Sequence, residues 1–539
     1  MPTSKWWKKA LVYQIYPLSF CDASGDGIGD LLGIESKLPY LKDLGVDVIW
    51  LSPVYRSPMD DNGYDISDYY DIDPLFGTMA DFRRLLAKTH QLGMRLVMDL
   101  VVNHTSDQHA WFLEAKKSKD NPFRDFYVWR DEPTDITSVF SGSAWELDPA
   151  TRQYYFHLFS VRQPDLNWDN PMLREAIYKM INFWLVLGID GFRLDVIDLI
   201  GKDIDSRRLC DGPHLDARLR ELYDRCFRGR DLMTVGETPC LSIDRVKDVT
   251  GGEVPPLDMV FQFGHLSLDE VRGQGKWELR KLNLVELKNH FARLQNGLYQ
   301  QGWNSLFWAN HDQPRAVSRY GDEAYRFESA TMLATVLYGM QGTPFVYQGE
   351  ELGMTGIRFS ELAEYRDIET KNMISEKLAA EWPLAKIKAA VYAKSRDNSR
   401  TPMQWDDSRF AGFSRHEPWI PVNPNHEEIN AESELRDPGS VLAYYRNLFA
   451  IRKQMEVFTS GAFELVFEDD PNLFAYFRKS EGDTVFVIGS FTRRSVLVNL
   501  GFLAPGKWLL ANQTTPDIGE KAGLPPYFCG IYQYTMKGE

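Results

Sequence analysis

A (β/α)8 barrel is the fold predicted for this 539-residue chain, on three observations. Short, almost wholly apolar runs alternate with amphipathic helical segments, and such runs are what parallel strands buried on both faces contain. Eight of these runs occur before the pattern changes, the number that closes a barrel of this kind. Three of the runs are closed by an acidic residue: Asp195 in GFRLDVI, Glu237 in LMTVGET and Asp312 in NSLFWANHDQPR. A carboxylate at the end of a buried strand cannot be a core residue. It must face the rim, and the C-terminal rim is where barrels of this type build their pockets.

The eight candidate strands cover residues 12–16, 48–54, 96–102, 191–196, 232–236, 259–263, 305–309 and 344–347. Between them, residues 171–188 carry Ile177, Met180, Ile181, Trp184 and Leu185 at helical spacing, with Gly188 as a C-terminal stop. Residues 80–92 repeat this logic with Phe82, Leu85 and Leu86 before Gly93. The three acidic residues then lie on strands four, five and seven and share one rim. Two long excursions, 104–168 after the third strand and 353–436 after the eighth, are placed to shape a pocket there. From about Phe458 the pattern turns to short β-like runs at 463–467, 473–477, 484–488 and 495–498. The predicted organisation is a barrel over 1–103 and 169–457, an inserted domain over 104–168, and a C-terminal antiparallel β-sandwich over 458–539.

Composition narrows the function. The formal net charge of −15 argues against nucleic acid and anionic membranes as partners and suits a neutral ligand. Aromatic residues reach 13%, which serves rings stacked on sugar faces as well as a large core. No stretch approaches the ~18–20 apolar residues of a membrane span. The five cysteines are an odd number without a C-x-x-C pair, so neither a disulfide framework nor a zinc site is expected. The start, MPTSKWWKKALVYQIYP, shows no apolar leader region. A cytoplasmic protein, monomeric or a weak homo-oligomer, is the expectation.

An acid-rich rim suits glycosidic bond cleavage, in which one carboxylic acid protonates the leaving oxygen and a carboxylate meets the positive anomeric carbon. The surrounding motifs sharpen this. DLVVNH (99–104), GFRLDVI (191–197), TVGE (234–237), WANHD (308–312) and QPDLN (163–167) resemble the signature blocks of the α-amylase family. The likeness extends through VYQIYP, GDGIGDL, DNGYD, RDNSRTPMQW and YQGEELGM, and it is greatest to the oligo-1,6-glucosidase and dextran glucosidase branch.

That resemblance implies a retaining double displacement. Asp195 would be the nucleophile, Arg193 its charge partner, Glu237 the acid and then the base, and Asp312 the residue that grips and distorts the sugar ring. His104 and His311 would donate to glucose hydroxyls. Asp61 and Tyr64 would bind the non-reducing-end glucose, with Arg396 pairing to Asp61 and closing the pocket's far end, so that the enzyme is exo-acting. Gln163, Phe140 and Phe159 would be pocket walls, core packing being the competing reading of the two phenylalanines. Val196 accompanies α-1,6 preference in relatives, alanine or threonine α-1,4, although a buried strand residue would also explain it. Lys276 and Glu369 match positions that contact the leaving sugar, against the reading of solvated surface charges. No organic cofactor is implied.

The loop DASGDGIGD sets Asp22, Ser24, Asp26, the Ile28 carbonyl and Asp30 at alternate positions, a spacing that wraps a hard cation. The glutamate of an EF-hand is missing at Gly33, and the loop resembles a structural calcium site of the family. The implied activity is release of α-glucose from isomalto-oligosaccharides. Three alternatives compete with it. A trehalose-6-phosphate hydrolase shares RDNSRTPMQW and YRDIE but differs at the positions of Thr238 and Pro164. An α-1,4-glucosidase or a sucrose-active transglucosylase is the second; the sucrose isomerases carry RLDRD where this chain has HLSLDE (265–270). A non-catalytic barrel subunit is the third; its relatives carry a membrane span and lack parts of the triad.

Overall fold

In the computed structural model, which describes residues 5–535, the eight strands form one parallel sheet. They are Val12–Ile15, Val48–Leu51, Arg95–Leu100, Gly191–Leu194, Met233–Glu237, Met259–Phe261, Ser305–Leu306 and Thr343–Tyr347. Hydrogen bonding runs from the first through the sixth in chain order, and the eighth lies between the first and the seventh. A parallel bridge from Val260 to Asn304 joins the sixth strand to the seventh and closes the barrel. The first four residues of the stretch read for a leader lie outside the described residues. Among the described residues, no helix is long and apolar enough to cross a membrane.

The two-residue pleat makes one face of each strand point inward. Along that face the floor is apolar, built from Val12, Val48, Val97, Met233, Val235, Met259 and Phe345. One step higher the same face presents Gln14, Trp50, Asp99 and Arg193, and above them Asp195 and Glu237. Register completes the pattern: Val97 pairs with Gly191 and Asp99 with Arg193. An acid and a base are therefore set side by side by the strand pairing alone.

Helices wrap this sheet much as their periodicity predicts. Pro171–Leu187 starts at an Asn170 cap and ends on Gly188 in the left-handed region (φ 104°), burying Ile177, Met180, Ile181 and Trp184. Met79–Gln91 starts at a Thr78–Asp81 capping box and buries Phe82, Leu85 and Leu86. The insertion after the third strand holds a three-stranded antiparallel sheet of Trp129–Arg130, Gln153–Phe156 and Trp145–Asp148. The excursion after the eighth strand is largely helical, with Ile368–Ala379, Leu384–Lys394 and Asp397–Arg400.

The C-terminal part is a five-stranded antiparallel sheet plus the pair Val496–Val498 and Ala522–Leu524. Two members of the larger sheet, Gly506–Ala511 and Cys529–Tyr534, lie beyond the predicted runs. This sheet is tied to the barrel by Lys288. Its buried ammonium donates to the carbonyls of Phe467, Asp470 (2.6 Å) and Leu473 (3.0 Å).

The cysteines correct one expectation. Cys210 and Cys240, 30 residues apart in sequence, form a disulfide. They follow the neighbouring fourth and fifth strands, and parallel pairing brings the loops at the ends of those strands together. An odd count conceals one bonded pair when the other three, Cys21, Cys226 and Cys529, are free and buried. The cysteine count thus loses its force as a sign of a reducing compartment.

Candidate active site

Arg193 lies at the centre of the rim, 1% exposed. Its Nη1 donates to Asp99 Oδ1 at 2.8 Å and to Asp195 Oδ1 at 2.6 Å. Its Nη2 stands 2.6 Å from Glu237 Oε2. Asp99 is fully buried and also accepts from Trp50 Nε1 (3.1 Å) and Tyr64 Oη (2.9 Å). Asp99 opens the DLVVNH motif, and nothing in that run of residues gives it a role. What places it in the site is strand register, which a single sequence does not display.

Burial pushes the Asp195 carboxyl well up; Arg193 pulls against it while Glu237 and Asp99 add to the rise. Burial likewise raises Glu237, opposed by Arg193 and reinforced by Asp312. Both contacts to Glu237, from Arg193 and from the Val196 amide (3.0 Å), fall on Oε2. The other oxygen is left to carry a proton towards a ligand. Val196 is not a strand residue. It lies beyond the strand end in the left-handed region, at φ 35° and ψ 44°, a conformation that costs a β-branched residue about 1–3 kcal/mol. That backbone turn directs its N–H at the acid.

The seventh strand delivers His311 and Asp312. Asp312 Oδ1 is held by Arg400 Nη2 (2.7 Å) and Arg396 Nη1 (3.2 Å), and Oδ2 lies 3.1 Å from His311 Nε2. Burial alone would raise this carboxyl, but His311, Arg396 and Arg400 outweigh it and hold Asp312 far below the ordinary carboxylate range. Arg396 also reaches Asp61 Oδ1 at 2.9 Å and Asp367 Oδ1 at 2.6 Å. The expected Arg396–Asp61 pair is present. Arg400 and Asp367, absent from the expected site residues, belong to the same network; RDNSR contains Arg400 four residues after Arg396, one helical turn away.

His104 and His311 are both buried, and burial lowers them to about 4 and about 3 respectively, so each imidazole is neutral near pH 7. Gln14 Nε2 stands 2.7 Å from His311 Nδ1. With Gln14 donating, the proton sits on Nε2, whose 3.1 Å approach to Asp312 Oδ2 lacks hydrogen-bond geometry, so this buried N–H is available to a ligand hydroxyl. Tyr64 stacks on His311 with centroids 5.2 Å apart and an interplanar angle of 7°. Gln163 Nε2 donates to Asp61 Oδ2 at 3.1 Å and stands 3.2 Å from His104 Nε2. From the insertion come Phe140, its ring 4.9 Å from the Arg396 guanidinium, and Phe159, 5.3 Å from the His104 ring. Both phenylalanines therefore border the charged network.

Lys276 and Glu369 are brought together at 2.6 Å and are partners, not separate solvated charges. Lys276 lines a cavity of about 340 Å³ beside the triad, with Pro239, two residues after Glu237, and Gln313, next to Asp312. Lys394 in the same wall pairs with Asp269 (2.6 Å) and Glu270 (2.9 Å).

The calcium-type loop lies apart from these residues. Asp22 accepts from Ser24 Oγ, the Gly25 and Gly27 amides and Ser414 Oγ, which occupies all four of its acceptor positions. Asp30 accepts from the Ala23, Ser24 and Gly33 amides, and Asp26 from the Ile28 amide. Among the described residues, these three carboxylates do not converge within 4.8 Å. The donor set is that of a hard cation, but a cation would have to displace some of these bonds.

Comparison with known proteins places this geometry in context. The family described as alpha amylase, catalytic domain, matches residues 14–461. An oligo-1,6-glucosidase of Halalkalibacterium halodurans is 53% identical over 513 residues, 91% of each chain. A trehalose-6-phosphate hydrolase of Bacillus subtilis is 49% identical over 98% of each chain. The crystal structure of the Bacillus licheniformis trehalose-6-phosphate hydrolase superposes with a TM-score of 0.93 at 46% identity, covering 98% of this chain and 99% of that one.

Proposed function

The chain belongs to the α-amylase family and is an α-glucosidase of the glycoside hydrolase class, and on that premise we propose a retaining, exo-acting enzyme that cleaves α-1,6 bonds of isomalto-oligosaccharides. In this mechanism Asp195 attacks the anomeric carbon with its Oδ2, the oxygen that Arg193 leaves free. Glu237 protonates the leaving oxygen, then takes a proton from the water that hydrolyses the glycosyl-enzyme. Bridging by one guanidinium supports the short separation of a retaining pair, about 5–5.5 Å, over the wider spacing that admits a water in inverting enzymes. Asp312 and the His311 N–H grip the glucose hydroxyls, and the Asp61–Arg396 pair ends the pocket after one sugar.

The observation that carries the substrate choice is the neutralisation of both lysines beside the leaving-group cavity. Lys276 is matched by Glu369, and Lys394 by Asp269 and Glu270. A phosphate needs uncompensated cationic donors, so this wall favours an uncharged sugar over trehalose 6-phosphate, the substrate class named for two of the similar proteins. Initial rates on isomaltose, panose, maltose, trehalose 6-phosphate and sucrose, side by side, test this. Isomaltose and panose should lead, and faster turnover of trehalose 6-phosphate would overturn the substrate. Proton NMR of the first sugar released should show the α-anomer; a β-anomer excludes retention.

We also propose a structural calcium ion at Asp22, Ser24, Asp26, Asp30 and the Ile28 carbonyl, supported by donor chemistry. Calcium added after chelation should raise the melting temperature of the wild type and leave Asp26→Ala unmoved. An unchanged wild-type melt would remove calcium from the loop.

A further inference from the structure

The disulfide does not stand alone. Among the described residues, Asp198, Cys210 and Cys240 are the one group of three metal-ligating side chains whose ligand atoms all lie within 4.8 Å of one another. Asp198 is fully buried, and its Oδ2 accepts the Cys240 amide at 3.0 Å. Its Oδ1 is buried without any hydrogen-bond partner. A buried carboxylate oxygen with no donor is an uncompensated acceptor that a cation would satisfy. Cys240 is exposed, so the cluster is open to solvent on the sulfur side.

The geometry also suits the sulfurs. The two Cα atoms are 6.2 Å apart. Two thiolates sharing a tetrahedral cation at Zn–S about 2.3 Å hold their sulfurs about 3.8 Å apart, a separation within reach of side-chain rotation. Two soft sulfurs and one carboxylate, with water in the fourth position, make the donor set of zinc and other thiophilic divalent ions, not of calcium or magnesium.

We propose that Asp198, Cys210 and Cys240 form a redox-gated site that, once the disulfide is reduced, takes one thiophilic divalent cation. In the gating step a dithiol reductant closes to its own disulfide while Cys210–Cys240 accepts two electrons and two protons. Cation binding then releases the two thiol protons to solvent and forms two metal–sulfur bonds and one metal–oxygen bond. The position gives the site its interest. Asp198 follows Asp195 by three residues and Cys240 follows Glu237 by three. The disulfide and the cation are thus alternative clips across the loops that carry the two carboxylates of the acid–base pair.

The test uses the full-length enzyme reduced with a water-soluble phosphine, desalted without oxygen and titrated with Co2+ as the probe. Near-ultraviolet thiolate-to-cobalt absorption should grow to one equivalent in the reduced wild type and be bleached by Zn2+. It should be absent from the oxidised wild type and from reduced Cys210→Ser and Cys240→Ser, and Asp198→Asn should weaken binding at least tenfold. No band in the reduced wild type overturns the site, as does an equal band in the oxidised protein or in either serine variant. Circular dichroism of the reduced, metal-free wild type accompanies the titration. Its unfolding would also overturn the site, since the cluster requires the folded loops.

Discussion

Three carboxylates and one guanidinium in a dry pocket cannot all be charged without a surplus of negative charge. With Asp99, Asp195 and Glu237 gathered on Arg193, some of the acid protons are retained near neutrality. Both members of the acid–base pair are displaced upward. In the proposed mechanism the active form holds one proton on the coupled pair, with Glu237 protonated and Asp195 ionised, so activity is lost as pH falls through the pair's lower apparent value and as it rises through the upper one. Both limbs of the kcat/KM profile should therefore lie above the pH of an ordinary carboxyl, about 4, with Asp312 ionised throughout. Glu237→Gln should remove the alkaline limb and lower kcat about 10²–10⁴-fold. Asp195→Asn should abolish turnover, by on the order of 10⁴-fold or more, with circular dichroism unchanged. Residual turnover of Asp195→Asn near the wild-type rate would mean that another residue attacks.

At the scale of elements, strand identity was legible and strand neighbours were not. Each barrel run declared itself because a strand covered on both faces tolerates few polar residues, and the structure moves its ends by only a few positions. The edge strand Gly506–Ala511 escaped because it is half-exposed and Lys507 breaks its apolar run, and the inner strand Cys529–Tyr534 because Gly530 and Gln533 interrupt its apolar residues. In the site, Asp195, Glu237 and Asp312 were readable from their place at strand ends. Asp99, Arg400 and Asp367 were not, since pairing across chain segments puts them there. Gly191 shows how tightly such pairing is set. Its φ is 152°, and a Cβ there would meet the Met233 carbonyl oxygen at 1.9 Å. Gly191→Ala forces the fourth and fifth strands apart, against backbone that cannot rotate away. Its expected effect is a loss of about 4 kcal/mol or more, read as a large drop in melting temperature or in soluble yield; a melt within a degree of wild type would show that the strands yield.

Across the whole molecule, the C-terminal sheet reports on the barrel through single buried donors. From a barrel helix, Lys288 satisfies three carbonyls in and beside the turn that joins the first two strands of that sheet. Lys288→Met keeps much of the side chain's bulk and leaves those acceptors empty in a dry interface, a penalty of about 3 kcal/mol. Calorimetry should show a lower transition temperature while kcat per folded molecule holds, because none of the carbonyls that Lys288 serves belongs to the network around the triad. A kcat that falls with stability would tie the C-terminal sheet to the pocket. The left-handed turn at Val196 has a different reach. One residue donates its amide to Glu237, holds a left-handed turn, and packs its side chain against Ala144, Trp145, Phe156 and Leu158 of the insertion. A substitution at this codon changes the cost of that turn and the packing of the insertion together, so variants made to shift the proposed linkage preference should also show altered pH behaviour. Laboratory selection for a new linkage should therefore be run at more than one pH.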